Sequence, residues 1–137
     1  MATSRAKTLE SIALFAGLSK GDLEFLASNL DELDFRPGTT LIQQGDTNHT
    51  FFVLIDGEAD VDVSGEPRRT LSRGDFFGEI SMELRVPATA TIVAKTPVQA
   101  LVMSHAQFRA VQGSPHVLSR LRTAIDDRLA SDRLLSG

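Results

Sequence analysis

The stretch of the chain that could carry chemistry is GDFFGEISMELRVPATATIVA, residues 74–94. It looks like a cassette for a phosphate. A glycine that can bring backbone close to an anion stands beside a carboxylate, with hydroxyls and an arginine in the same segment. No other pattern in the chain competes with it. None of the serines stands in a nucleophile-elbow context, and the carboxylates of EADVD alternate on what reads as a solvated strand face. His49, His105 and His116 lie far apart, without ligand spacing or an acidic companion pattern, so they read as surface residues rather than a metal site. With no cysteine there is no thiol nucleophile, disulfide framework or thiolate-bound metal. The expectation is a protein that is not an enzyme and holds no cofactor or metal.

Composition narrows the class of partner. A net charge of −4 and a pI near 5.3 give no electrostatic footprint for duplex nucleic acid, which is bound by neutralising phosphates with clustered Lys and Arg. No DNA contact by this chain is therefore expected. The N-terminal MATSRAKTLESIALF lacks the apolar core of a secretory signal, and no apolar run approaches the ~20 residues of a membrane span. Neither insertion nor export is expected, and cytoplasmic residence is the default. At 137 residues and 42% apolar content, one domain spanning residues 1–137 is expected, since a second core would not fit.

The elements that must position the cassette change type twice. Residues 8–33 read as helical: in LSKGDLEFLASNLDEL, Ser19 can cap, Asp22 follows near the positive end of the dipole, and Leu23, Leu26, Ala27 and Leu30 recur at helical spacing. A shorter helical piece around Leu9, Ile12 and Ala13 precedes it and ends by Gly17. Residues 35–103 switch to short runs punctuated by PG, QGD, DG, SGEP and RGD, the turn chemistry of many short antiparallel strands. EADVDVS puts Ala59, Val61 and Val63 on one face and acids on the other, whereas TFFVLI, TATIVA and VQALVM read as strands covered on both faces. Residues 104–135 return to helix. Ser104 can cap one holding Ala106, Phe108 and Val111, and Ser114-Pro115 starts another, with Leu118, Leu121, Ile125 and Leu129 in one stripe.

The order helices, β-roll, two C-terminal helices, with LFAGLSKGDLEFLA, PGTTLIQQGD, FFVLIDGEADV and GDFFGEI in sequence, resembles the cyclic nucleotide-binding domain family over residues 12–130. The resemblance implies a mainly β fold, an antiparallel jelly-roll-like β-roll with N-terminal helices and two C-terminal helices. It also implies cAMP or cGMP as ligand, lying inside the roll on the pattern FGE, about eight residues, then an arginine and a Thr/Ser-rich strand. Phe77-Gly78-Glu79 fits that pattern, followed by Ile80 and Ser81, and the ungapped register puts Pro87 and Thr89-Ala90-Thr91 on the family's proline and Thr/Ala-rich strand. Ala88 falls on the arginine. By resemblance, backbone N–H groups at Gly78 to Ile80 and Thr89 hold the phosphate, and Glu79 accepts from the ribose hydroxyl. A register shifted by three would instead offer Arg85 as the phosphate cation, at the cost of misplacing TATIVA. Arg68, Arg69 and Arg73 read as exposed solubilising charges.

Two functions follow from the resemblance. One is a regulatory or sensor domain that binds cAMP or cGMP and signals through its C-terminal helix, Ser114 to about Leu135, which in that family closes over the base and frequently forms a dimer contact. The other is a degenerate domain, lacking the arginine, that acts as a nucleotide-independent protein-interaction module. Either output would pass through a homodimer or an effector protein or domain, because family members that regulate transcription carry a helix-turn-helix domain after the last roll helix, and that domain needs tens of residues more than stand here.

Overall fold

The computed structural model describes residues 8, 9, 11, 12, 15–47, 50–78, 87–111, 113–117, 119, 120, 122, 123, 126 and 127. The chain divides into two compact units, Leu30–Ala106 and the pair of segments Met1–Asn29 and Gln107–Gly137.

The unit of residues 30–106 is the β-roll. Its strands are β1 (Asp31–Phe35), β2 (Thr40–Ile42), β3 (Thr50–Asp56), β4 (Ala59–Val63), β5 (Glu66–Leu71), β6 (Phe76–Phe77), β7 (Thr91–Ala94) and β8 (Val98–Ser104). They form two four-stranded antiparallel sheets, ordered β1-β8-β3-β6 and β2-β7-β4-β5. The core between the sheets collects alternate residues from both: Phe52 and Leu54 of β3, Val98, Ala100 and Val102 of β8, Ala59 of β4, Leu71 of β5 and Ile92 and Ala94 of β7. The intervening β3 residues, Phe51, Val53 and Ile55, are buried as well. This strand is covered on both faces, as its unbroken apolar run predicts. β7 differs from expectation. Ile92 and Ala94 are buried but Thr91 and Val93 only partly, so TATIVA is an alternating strand rather than one buried on both sides.

Turns fix the registers. A Cβ on Gly57 would lie 2.1 Å from the Pro97 carbonyl oxygen, and its φ is +89°, so only glycine lets the β3–β4 turn pass that strand. Ser64 and Gly65 both have positive φ and close the β4–β5 hairpin in the twist that antiparallel strands favour. At the β5–β6 turn, Ser72 N donates to Asp75 Oδ2 (2.8 Å) and Arg73 Nη1 donates to the Ile55 carbonyl (2.7 Å). Arg73 is thus a latch of the turn and not merely a solubilising charge.

β1 is an edge strand and its first four residues are exposed. Leu33, opposite Ala100, is 46% exposed and is flanked by Glu32 and Asp34, while Glu32 Oε1 accepts from Gln99 Nε2 (2.6 Å). The helical reading of residues 8–33 is corrected here: the helix stops at Ala27 and residues 31–35 are this strand. Asn29 folds back on the last turn, its Nδ2 donating to the Phe25 carbonyl at 2.9 Å, and pairing with β8 then outweighs the local helical spacing.

In the other unit, α1 (Lys20–Ala27) is capped as its sequence predicts, with Ser19 Oγ accepting from Asp22 N at 3.1 Å. Leu23, Leu26 and Ala27 are buried on one stripe. α2 (His105–Val111) starts directly after β8, with Phe108 and Val111 buried. A turn at Gly113 and Ser114, donating to the Ala110 and Val111 carbonyls, separates it from the last helical residues, which begin at Pro115 and bury Val117. Leu118, Leu121, Ile125 and Leu129 lie outside the described residues.

Candidate functional site

The cassette begins on the short strand β6. Phe77 is buried in the inner core and stacks on Phe52 with ring centroids 4.8 Å apart and planes 14° apart; Phe35 tilts against Phe52 from the other side at 6.1 Å. This aromatic row holds the entry to Gly78. Gly78 has φ +93°, a conformation that a side chain would strain, and it is only partly buried. Glu79, Ile80, Ser81 and Arg85 lie outside the described residues.

The cassette ends at Pro87–Ala90, and here one turn does the positioning. Ala88 N donates to the Asp46 carbonyl and the Ala88 carbonyl accepts from Gly45 N, both at 2.9 Å. Three residues on, Thr91 Oγ1 accepts from Gln44 N (3.0 Å) and Gln43 Nε2 (3.2 Å). The Gln44 side chain extends the junction to the hairpin, where its Oε1 accepts from Ser64 N (2.7 Å) and its Nε2 donates to Ser64 Oγ (3.3 Å). QQGD was legible in the sequence as a turn. Its role as the clamp on the cassette was not, because partners 20 and 47 residues away leave no local signal.

The Ala88 side chain belongs to the inner core cluster and is 7% exposed, whereas Thr89 is exposed and Ala90 partly buried. A longer side chain at position 88 would start from inside the roll. A cavity of 240 Å³ opens along β2 and the following turn, lined by Thr40, Leu41, Ile42, Gln43, Asp46 and Thr47. It touches the clamp but falls below the roughly 300 Å³ at which small-molecule sites begin. Among the described residues no group of three or more His, Asp or Glu converges as a metal site, and no helix is long and apolar enough to cross a membrane.

A sequence model of the family described as "Cyclic nucleotide-binding domain" matches residues 32–113, more than half of the chain. The chain belongs to the cyclic nucleotide-binding domain family. Its resemblance at the level of motifs is thereby borne out, as is the mainly β, antiparallel roll with flanking helices that the family implies. This cyclic nucleotide-binding domain is 33% identical over 121 residues to the cAMP-dependent protein kinase regulatory subunit of Colletotrichum orbiculare, covering 87% of this chain and 31% of that one. Among solved structures, a mutant of the cAMP-binding acyltransferase from Mycobacterium smegmatis is 34% identical with a TM-score of 0.70, over 93% of this chain and 41% of that one. The regulatory domain of Toxoplasma gondii PKA with cAMP shares the fold at 20% identity and a TM-score of 0.77, over 90% of this chain and 49% of that one. The chain therefore spans about a third of the curated relative's length and less than half of either solved chain. It is a domain of regulatory type, homologous to cAMP-dependent protein kinase regulatory subunits and, over 64% of its length, to a cGMP-dependent protein kinase of Plasmodium berghei.

Proposed function

We propose that this chain is a non-catalytic cytoplasmic sensor domain that binds a cyclic nucleotide, cAMP or cGMP, within its β-roll. The observation that carries the reading is the pairing of Ala88 with the Gly45–Asp46 turn, which holds the strand after the cassette at the inner core while Gly78 keeps its positive φ at the start. Such a frame can present backbone N–H groups from Gly78 to Ile80, together with the Thr89 hydroxyl, to a cyclic phosphate, and the Glu79 carboxylate to the ribose. The same reading takes Phe77, Ser81, Ala88 and Ala90 as further ligand-binding positions. Without an arginine at position 88 the phosphate loses a bidentate charge-assisted contact, which lowers affinity by one to two decades and sets the working range toward higher nucleotide concentrations. Arg85 is the cation within the cassette that can offset part of that loss.

Ligand binding would shift the C-terminal helix, from Ser114 onward, and pass the change to a second copy or to an effector protein. Calorimetric titration with cAMP and cGMP tests the reading. Saturable heat with one site per chain is expected; no heat and no thermal shift at millimolar nucleotide would sink it and leave a nucleotide-independent interaction module.

A further inference from the structure

Among the described residues Ser64 is the one residue other than glycine with a positive φ, +54°, and it stands first in the two-residue turn between β4 and β5. Hairpin turns with positive φ at both central residues take asparagine, aspartate or glycine, because an ordinary Cβ resists the left-handed region. Serine does not hold this turn by its own preference. The second turn residue has support from within the hairpin, Gly65 N donating to Asp62 Oδ1 at 3.1 Å. The first is met from another part of the roll, where the Gln44 side chain sets its Oε1 against Ser64 N (2.7 Å) and its Nε2 against Ser64 Oγ (3.3 Å). A backbone N–H only donates, so the amide oxygen must face Ser64 N, and both ends of the Gln44 amide are engaged.

The backbone of the same residue is fixed to the cassette. Gln44 N donates to Thr91 Oγ1 at 3.0 Å, and the two residues that follow it, Gly45 and Asp46, are hydrogen-bonded to Ala88. The hairpin reaches that end of the sheet too, since Asp62, two residues before Ser64, pairs with Thr91 as the last rung between β4 and β7. Gln44 is thus where the hairpin tip, the turn after β2 and the end of the cassette meet. A left-handed residue kept in place by a tertiary contact, next to a ligand cassette, points to a use for that contact.

We infer that Gln44 is a positioning residue of the nucleotide site: by holding Ser64 left-handed it keeps the tip of the β4–β5 hairpin ordered beside the Thr89–Thr91 end of the cassette, and so couples nucleotide binding to order in the hairpin. The inference rests on the cyclic-nucleotide reading above. Gln44 touches neither phosphate nor sugar in this role; it acts through Ser64 and, across the Asp62–Thr91 rung, on the strand that carries Thr89. A frame that is already braced needs less ordering when the ligand arrives, so the brace contributes to affinity as well as to stability. Coupling is reciprocal, and bound nucleotide must then quieten the hairpin.

Gln44→Ala, alone and combined with Ser64→Asn, tests this by calorimetric titration with cAMP and cGMP, thermal melting and amide hydrogen exchange. Gln44→Ala keeps the backbone bond to Thr91 and removes the bridge to Ser64. Affinity should fall about three- to tenfold, while the ligand-free melting temperature drops by no more than about 5 °C. Ser64→Asn creates the Asn-Gly pair that adopts this turn unaided, so in its background Gln44→Ala should cost less than about twofold in affinity. Saturating nucleotide should slow exchange of the Gly65 N–H in the parent, and do so less in Gln44→Ala. Unchanged affinity in Gln44→Ala, the same loss in the Ser64→Asn background, or equal protection of Gly65 with and without Gln44 overturns the positioning role and leaves nucleotide binding standing. Absence of binding to the parent defeats the cyclic-nucleotide reading itself, and this inference with it. If Gln44→Ala does not fold, exchange in the unaltered chain decides: a hairpin indifferent to bound nucleotide overturns the coupling.

Discussion

Replacing Ala88 by arginine should separate the ligand site from the scaffold in a single experiment. Ala88 is 7% exposed and sits in the inner core, so Ala88→Arg inserts a long charged side chain where a methyl group now packs. Overpacking of this kind costs about 1–3 kcal/mol, moderated if the stem lets the guanidinium reach water at the open side of the roll. In a domain of this size the ligand-free melting temperature should fall by roughly 5–10 °C. With cyclic nucleotide present the same guanidinium gains a charge-assisted contact of roughly 1.5–3 kcal/mol, which is about ten- to a hundredfold in affinity. At one nucleotide concentration set to about a hundred times the variant's dissociation constant, the variant regains roughly 2.7 kcal/mol and the more weakly binding parent only about 0.4–1.4 kcal/mol, so the thermal shift should be larger in the variant. Differential scanning fluorimetry with calorimetric titration reads both effects. Unchanged ligand-free melting together with a dissociation constant within twofold of the parent would refute both the register that places position 88 on the family's arginine and the inward direction of its side chain.

Other substitutions test the frame around the site. Thr91→Val keeps the shape but leaves Gln44 N without its acceptor, so stability should fall by about 1–2 kcal/mol and nucleotide affinity with it, measured by urea unfolding and titration. Gly57→Ala should cost more than about 3 kcal/mol because its Cβ meets the Pro97 oxygen at 2.1 Å, whereas Gly65→Ala, with nothing within 4 Å, should cost only about 1–2 kcal/mol from its positive φ. Phe52→Ala removes the ring between Phe35 and Phe77 and should destabilise by about 3–5 kcal/mol in chemical denaturation.

How much was legible in the sequence depends on how local the signal was. The alternation of Ala59, Val61 and Val63 and the apolar run of β3 declared which faces would be buried, and Ser19 declared a cap, because each signal lies within a few residues. Residues 31–33 misled for the opposite reason: the helical spacing that precedes them is local, but the partner of Asp31–Phe35 is Val98–Val102, some 67 residues away. Ala88 could be singled out only against a family pattern. That its backbone would be gripped by Gly45 and Asp46 depends on a pairing across more than forty residues that no window of sequence contains.

The exposed edge at β1 has a consequence for how copies of this chain can meet. A bare strand edge invites a second strand, and Leu33 at 46% exposure would add an apolar lure. Asp31, Glu32 and Asp34 surround that leucine, so an antiparallel copy laid against β1 would bring carboxylate against carboxylate along the new seam. Growth of the sheet from this side is thereby penalised, and with it the runaway stacking that turns an open edge into an aggregate. The repulsion is screened by salt, so concentrated salt solutions are where this protein should first become prone to self-adhesion through β1.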